Sequence, residues 1–358
     1  MAHLPISPTA VDHDLVGEIA HMYARTVLSL GCGRNAAVRD RLGARLDTVA
    51  RSNWPRLWTP EISLAHRLCG TSTDGDGVFE SQFLCGLERA GVDVDGDIQT
   101  TGALFRAGTI TRTDSPAAAR LVAPVRVILE PAMPGQAVCS DPIRFLDARS
   151  SFRGTPLEAP ARIATQVDEI GPYRTAIADS LAVLNLAGAE FSTWVQGAIR
   201  YVYLVQCRDD GDRLLSGSVS EFAGGVIASA NCAPVIFAEL LIHEAAHQYF
   251  AMMQLLFSLF TGPEPQAWHP VREMNRPASR VLLGYHATLA ILGFYDALCR
   301  RANDLAEPDA LIASDRKRHW TGHAIEMESA IDKIAPSLSS DGGGLYRALR
   351  DKRFEFRP

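Results

Sequence analysis

The chain has 358 residues, 47% hydrophobic and 21% charged, enough for two ordinary domains with a sizeable core. A formal net charge of −6 argues against a protein built mainly to bind nucleic acid. Seven cysteines, odd in number and never spaced CxxC, argue against a disulfide framework or a structural zinc site and point to a reducing cytoplasm.

The first twenty residues lack the basic stretch and apolar run of a secretion signal. "VDHDLVGEIAHMYARTVLSLG" repeats apolar residues at helical spacing and stops at Gly31, and "NAAVRDRLGARLDTVARS" and "VFESQFLCGLERAG" do the same. "TSTDGDG" and "DVDGD" lack the spacing and terminal Glu of a calcium loop and read as solvated turns. "RLVAPVRVILEP" reads as β-rich, and the prolines after it set a soft boundary near residue 160. Residues 1–160 are therefore expected to form a mostly helical accessory region, suited to binding a peptide, and residues 161–358 a catalytic domain.

The second part opens on the helical pattern "YRTAIADSLAVLNLAGAEFSTWVQGAI", followed by "RYVYLVQ", a strand, and a short strand over Gly225 to Ala230. A helix then runs from near Pro234 through "VIFAELLIHEAAHQYFAMMQLLFSLF". Its last ten residues are about half a membrane span, so no membrane is expected as a partner. The stretch "GPEPQAWHPVREMNRP" reads as a loop, "ASRVLLGYHATLAILGFYDALCRRA" as a second apolar helix, and the remainder as more polar helix. The fold class expected is mainly α with a small β-sheet (α+β), a zincin-like HExxH helix packed against a second helix that carries a ligand.

Within the apolar run, His243 and His247 lie four apart with Glu244 between them. On a helix such a pair shares one face about 5–6 Å apart, so two ring nitrogens reach one ion. Buried imidazoles and a carboxylate without partners cost several kcal/mol, and a shared cation removes that cost. Zinc peptidases use the Glu of this motif to activate a metal-bound water. His286, on the following helix, is the third-ligand candidate; His269 and Glu273 are weaker ones. The third histidine of the metzincin pattern is absent, and "REMNR" does not match a gluzincin glutamate helix. "HWTGH" also spaces two histidines by four, but after the charged "SDRKR" it reads as an exposed helix face.

The succession "GSVSEFAGGVIASA", "LLIHEAAHQ", W-x3-R-x3-RP and a helix bearing Gly-x-His resembles the bacterial HExxH-type peptide modification proteins. These are encoded beside small precursor peptides, and members are iron(II)- and 2-oxoglutarate-dependent peptide β-hydroxylases. The likeness covers roughly residues 180 to 300. It implies that His243, His247 and His286 are iron ligands, with Zn(II) or Ni(II) as substitute metals. It further implies that Arg272 and Arg276 serve the 2-oxoglutarate carboxylate, which an arginine fork suits. Glu244 then acts beside the metal, orienting a ligand or a water. The partners implied are a precursor peptide and dioxygen. His269-Pro270-Val271 stand between Trp268 and Arg272, which leaves open which arginine does what. A zinc metallopeptidase with Glu244 as general base, and a non-catalytic protein with a structural metal, are the competing readings.

Overall fold

The computed structural model describes residues 7–8, 12–31, 35–69, 75–94, 103–106, 109–112, 143–146, 156–158, 164–207 and 214–356. Most of them are helical, with small sheets, which is the mainly α class read from the pattern. The β-rich segment expected at 120–131 lies outside the described residues. The chain forms two compact units: residues 13–174 with 196–231, and residues 1–12 with 175–195 and 232–358.

In the first unit α1 (His13–Gly31) buries Val16, Ile19, Ala20, Ala24, Val27 and Leu28, the stripe its periodicity predicts. Helix α2 (Ala36–Asp47) starts where Asn35 accepts a hydrogen bond from the Val38 amide at 3.2 Å. Helices α3 (Pro60–Cys69) and α4 (Gly75–Arg89) pack on each other, and β1 (Ala103–Arg106) and β2 (Thr109–Arg112) form an antiparallel hairpin. The larger sheet is built from β3 (Arg144–Leu146), β4 (Ala164–Gln166), β5 (Tyr201–Cys207), β6 (Ser216–Ser218) and β7 (Gly225–Ser229). Strand β5 runs parallel to β3 and β7 and antiparallel to β4, and β6 lies antiparallel on β7. Its core joins Leu64 and Val78 to Tyr201, Tyr203, Val205, Phe222 and Ile227. The buried Tyr201 hydroxyl donates to Glu61, which also accepts from Thr59. Gly224 has φ +71°, and a Cβ there would stand 2.9 Å from Arg200 Cγ and 3.1 Å from the Trp58 carbonyl oxygen, so only glycine fits.

The second unit holds α5 (Arg174–Ala187) and the start of α6 (Ala189–Ala198), then α7 (Pro234–Gln254), β8 (Gln266–His269), β9 (Met274–Pro277), α8 (Ala278–Arg300), α9 (Glu307–Ile334) and α10 (Ser340–Glu355). The single helical pattern read across α5 and α6 breaks at Gly188, whose φ is +150°. Helix α7 stops at Gln254 rather than Phe260, because the backbone beyond it is taken by another segment. Ser339 N donates to Leu259 O at 3.0 Å, Thr261 N donates to Ser337 O at 3.1 Å, and Phe260 bridges Leu338. Helix α8 is long and apolar enough to cross a membrane, but 89% of its most apolar window is buried in protein, as in a core helix.

Helix α7 is apolar nearly all round and packs along α8, which in turn packs along α9. Ion pairs between buried carboxylates and partly exposed cations pin these helices and α10. Glu239, 2% exposed, accepts from Arg316 Nε at 2.7 Å and from the Tyr295 hydroxyl at 2.5 Å. Asp296 accepts from Lys317 at 2.9 Å. Glu328 accepts from the Tyr285 hydroxyl at 3.1 Å and pairs with Arg350 at 3.2 Å. Removing Glu239 strands the partly buried Arg316 charge and the Tyr295 hydroxyl, so Glu239→Ala should cost about 2–4 kcal/mol in urea denaturation, below the full range of a wholly buried pair. A loss below about 1 kcal/mol, the range of an exposed pair, would contradict that placement.

Candidate metal centre

The helix itself places the motif. Pro234 sits in the first turn of α7, where its missing N–H costs nothing, and the four-residue spacing then stacks His243 on His247 with ring centroids 4.3 Å apart. Glu244, 1% exposed, extends between them: Oε2 lies 3.3 Å from His247 Nδ1, and Oε1 lies 3.9 Å from His243 Nε2. One donor atom from each of the three falls within 4.8 Å of the others. Two imidazoles and a carboxylate at that spacing are a donor set for a first-row divalent ion. The side chains of His243 and His247 are 26% and 21% exposed, which leaves a way in for a ligand.

His286 does not join that group of donors. It is fully buried on α8, with its Nδ1 3.1 Å from the Ala246 carbonyl oxygen and its ring 5.9 Å from Phe250 and 6.0 Å from Trp194. With Nδ1–H donating to Ala246, Nε2 carries the lone pair, the tautomer in which backbone-tethered histidines bind metals.

The stretch read as a loop is an antiparallel hairpin, β8 on β9, turned by a 3₁₀ segment Pro270–Arg272 and by Glu273 in the left-handed conformation at φ 49°. Its register sets Ala267 opposite Arg276 and His269 opposite Met274 on one face, and Trp268, 50% exposed, on the other. Glu264 Oε1 accepts the Ser279 amide at 2.6 Å and caps the start of α8 directly after the hairpin. Gly284 on α8 makes room for it: a Cβ there would lie 3.1 Å from His269 Nε2.

Three arginines gather here: Arg272 at the turn, Arg276 on β9 and Arg280 in the first turn of α8. No described carboxylate lies within 4.0 Å of any of their guanidiniums. Burial, then Arg272 and Arg280, lower the pKa of Arg276. Sequence reading missed Arg280; the signal was the repeated spacing of four through 272, 276 and 280.

Burial first, and then the neighbouring His247, lower His243 to a pKa of about 3; Glu244 opposes this and the charge of Arg272 adds to it. Burial, then Arg276 and Arg272, lower His269 to about 4; that residue is 6% exposed and its Nδ1 has no hydrogen-bond partner. Both rings are neutral when folded but take protons near 6.5 when unfolded, so the unfolded state binds more protons at lower pH. Stability of the metal-free protein is thus complete above pH 6.5 and falls as the pH drops through 4. The thermal midpoint should drop by several degrees between pH 7 and pH 4.5, and an unchanged midpoint would contradict the lowered proton affinity of these rings.

No protein-family model matches the chain, and no curated protein matches it either.

Proposed function

We propose that the chain is an iron(II)- and 2-oxoglutarate-dependent oxygenase that hydroxylates a β-carbon of a ribosomally made precursor peptide in the cytoplasm. One observation carries the reading: the His243–Glu244–His247 donors lie within 4.8 Å of one another, Arg272 is close enough for its charge to act on His243, and no described carboxylate pairs with Arg272 or with its neighbours Arg276 and Arg280. A hydrolase needs only the metal and Glu244. A dianionic keto acid, by contrast, needs a cation for its far carboxylate, which an arginine fork meets with paired N–H donors.

In this reading His243 and His247 would hold the metal through neutral nitrogens. His286, tethered to Ala246, would supply Nε2 as the third ligand in a zincin-like packing of α7 against α8. Glu244 accepts from ligand or water N–H and O–H groups and keeps His247 oriented. Arg276, on the inward face of β9, and Arg272, at the turn, hold the carboxylate. When bound, iron would supply the site at which dioxygen takes up four electrons, two from decarboxylation of 2-oxoglutarate to succinate and carbon dioxide and two from the peptide C–H bond, with one oxygen atom ending in succinate and one in the peptide hydroxyl.

The test is anaerobic reconstitution with iron(II) and 2-oxoglutarate, then air and a candidate peptide from a neighbouring gene. Stoichiometric succinate and a +16 Da peptide support the reading; cleaved peptide with zinc, and no succinate with iron, overturn it. The second reading, a zinc peptidase, draws on the buried carboxylate of Glu244 at 3.3 Å from His247.

A further inference from the structure

A second pair of histidines repeats the spacing of the first, with its ring planes at 87° rather than 62°. His319 and His323 are four apart on α9, with ring centroids 4.4 Å apart, against 4.3 Å for His243 and His247 on α7. The segment read from sequence as a plain exposed face is therefore a matched imidazole pair. His319 is exposed and the His323 side chain is 23% exposed, so both rings are open to solvent ions.

A carboxylate orients one of the rings. His323 Nδ1 lies 3.3 Å from Glu326 Oε2. A proton on Nδ1 shared with that carboxylate leaves Nε2 as the lone-pair nitrogen, the arrangement that prepares an imidazole for a metal. Trp320 packs at 5.3 Å from His319 and 5.7 Å from His323, and Arg316 covers the Trp320 ring at 5.3 Å. Arg316, whose charge acts on His319, has that charge offset by the bridge to Glu239, so it opposes an incoming cation only weakly. Asp315, one turn before His319, pairs with Arg318 at 3.2 Å, so these two charges largely offset each other.

We propose that His319 and His323, with Glu326 orienting His323, form a second metal site that chelates a borderline divalent ion such as zinc, nickel, copper or cobalt. Imidazole pairs prefer these ions over magnesium or calcium, which take oxygen donors. The site shares no residue with the centre on α7 and does not depend on the oxygenase reading. It lies on the helix against which hairpin β8–β9 packs. An ion held there ties one turn of α9 directly beside the arginine cluster.

The experiment titrates the metal-free, full-length protein with Zn²⁺ against a chromophoric chelator. Wild type should take two ions per chain. The exposed-residue variant His319→Ala/His323→Ala should take one and keep its circular dichroism and the affinity of the remaining site. The variant His243→Ala/His247→Ala should also take one, and the fourfold variant none. Glu326→Gln should weaken the α9 site about tenfold, as loss of an orienting carboxylate does, and leave the α7 site unchanged. Two ions bound by His319→Ala/His323→Ala, or none bound by His243→Ala/His247→Ala, would overturn the site. An unmoved affinity in Glu326→Gln would overturn the role of Glu326.

Discussion

Alanine at His243 or at His247 should empty the centre on α7, so that the variant holds one ion fewer per chain than wild type. Each change removes a donor outright from a group held within 4.8 Å, so the affinity loss should exceed the roughly 10–100-fold that a change in an outer-shell partner costs. The fold should survive, since both side chains reach solvent on one side and neither takes part in the Glu239, Asp296 or Glu328 ion pairs that pin the helices. Metal analysis together with circular dichroism checks this. Wild-type metal content in His247→Ala would show that α7 carries no metal centre. The companion change His286→Ala tests the third ligand: metal content close to wild type would remove it from the shell.

Glu244→Gln separates the two chemistries most sharply. The amide keeps the size of the side chain but loses the basic oxygen. In a peptidase it stops proton transfer from the attacking water, a loss of about 10²–10⁴-fold in turnover that no amount of metal restores. In the oxygenase it weakens only the orientation of His247, 3.3 Å away, so turnover should recover at saturating iron. Succinate formation against iron concentration gives the answer. A turnover that stays collapsed at saturating iron would count against the oxygenase.

The helices were the legible part. Apolar periodicity located α1, α7 and α8 because each buries a stripe, or its whole circumference, against its neighbours. Spacing alone also placed the His243 and His247 rings together, since a four-residue step is a local property of any helix. What failed was set by distant backbone. The end of α7 depends on the segment at 337–339, some eighty residues away, which no local pattern announces. The hairpin at 266–277 was read as loop because Pro270 and Pro277 mask strands of four residues, and its alternation of Ala267 and His269 inward with Trp268 outward is too short to stand out. The position of His286 was legible only as a helix assignment. Where its ring goes depends on the Ala246 carbonyl, a contact made between α7 and α8.

The way the chain shares itself between its units has a consequence for biosynthesis. Residues 196–231 belong with 13–174, while the segments on either side, 175–195 and 232–358, belong together. A fragment cut at residue 161 therefore carries β5 and β7 but not α3 and α4, and bares Tyr201, Tyr203, Phe222 and Ile227, which Leu64 and Val78 otherwise cover. Such a fragment should be sticky and protease-sensitive rather than a usable catalytic core. On the ribosome, residues 175–195 emerge long before α8 and α9, the helices of their own unit, so the unit that carries His243 and His247 is the last to close.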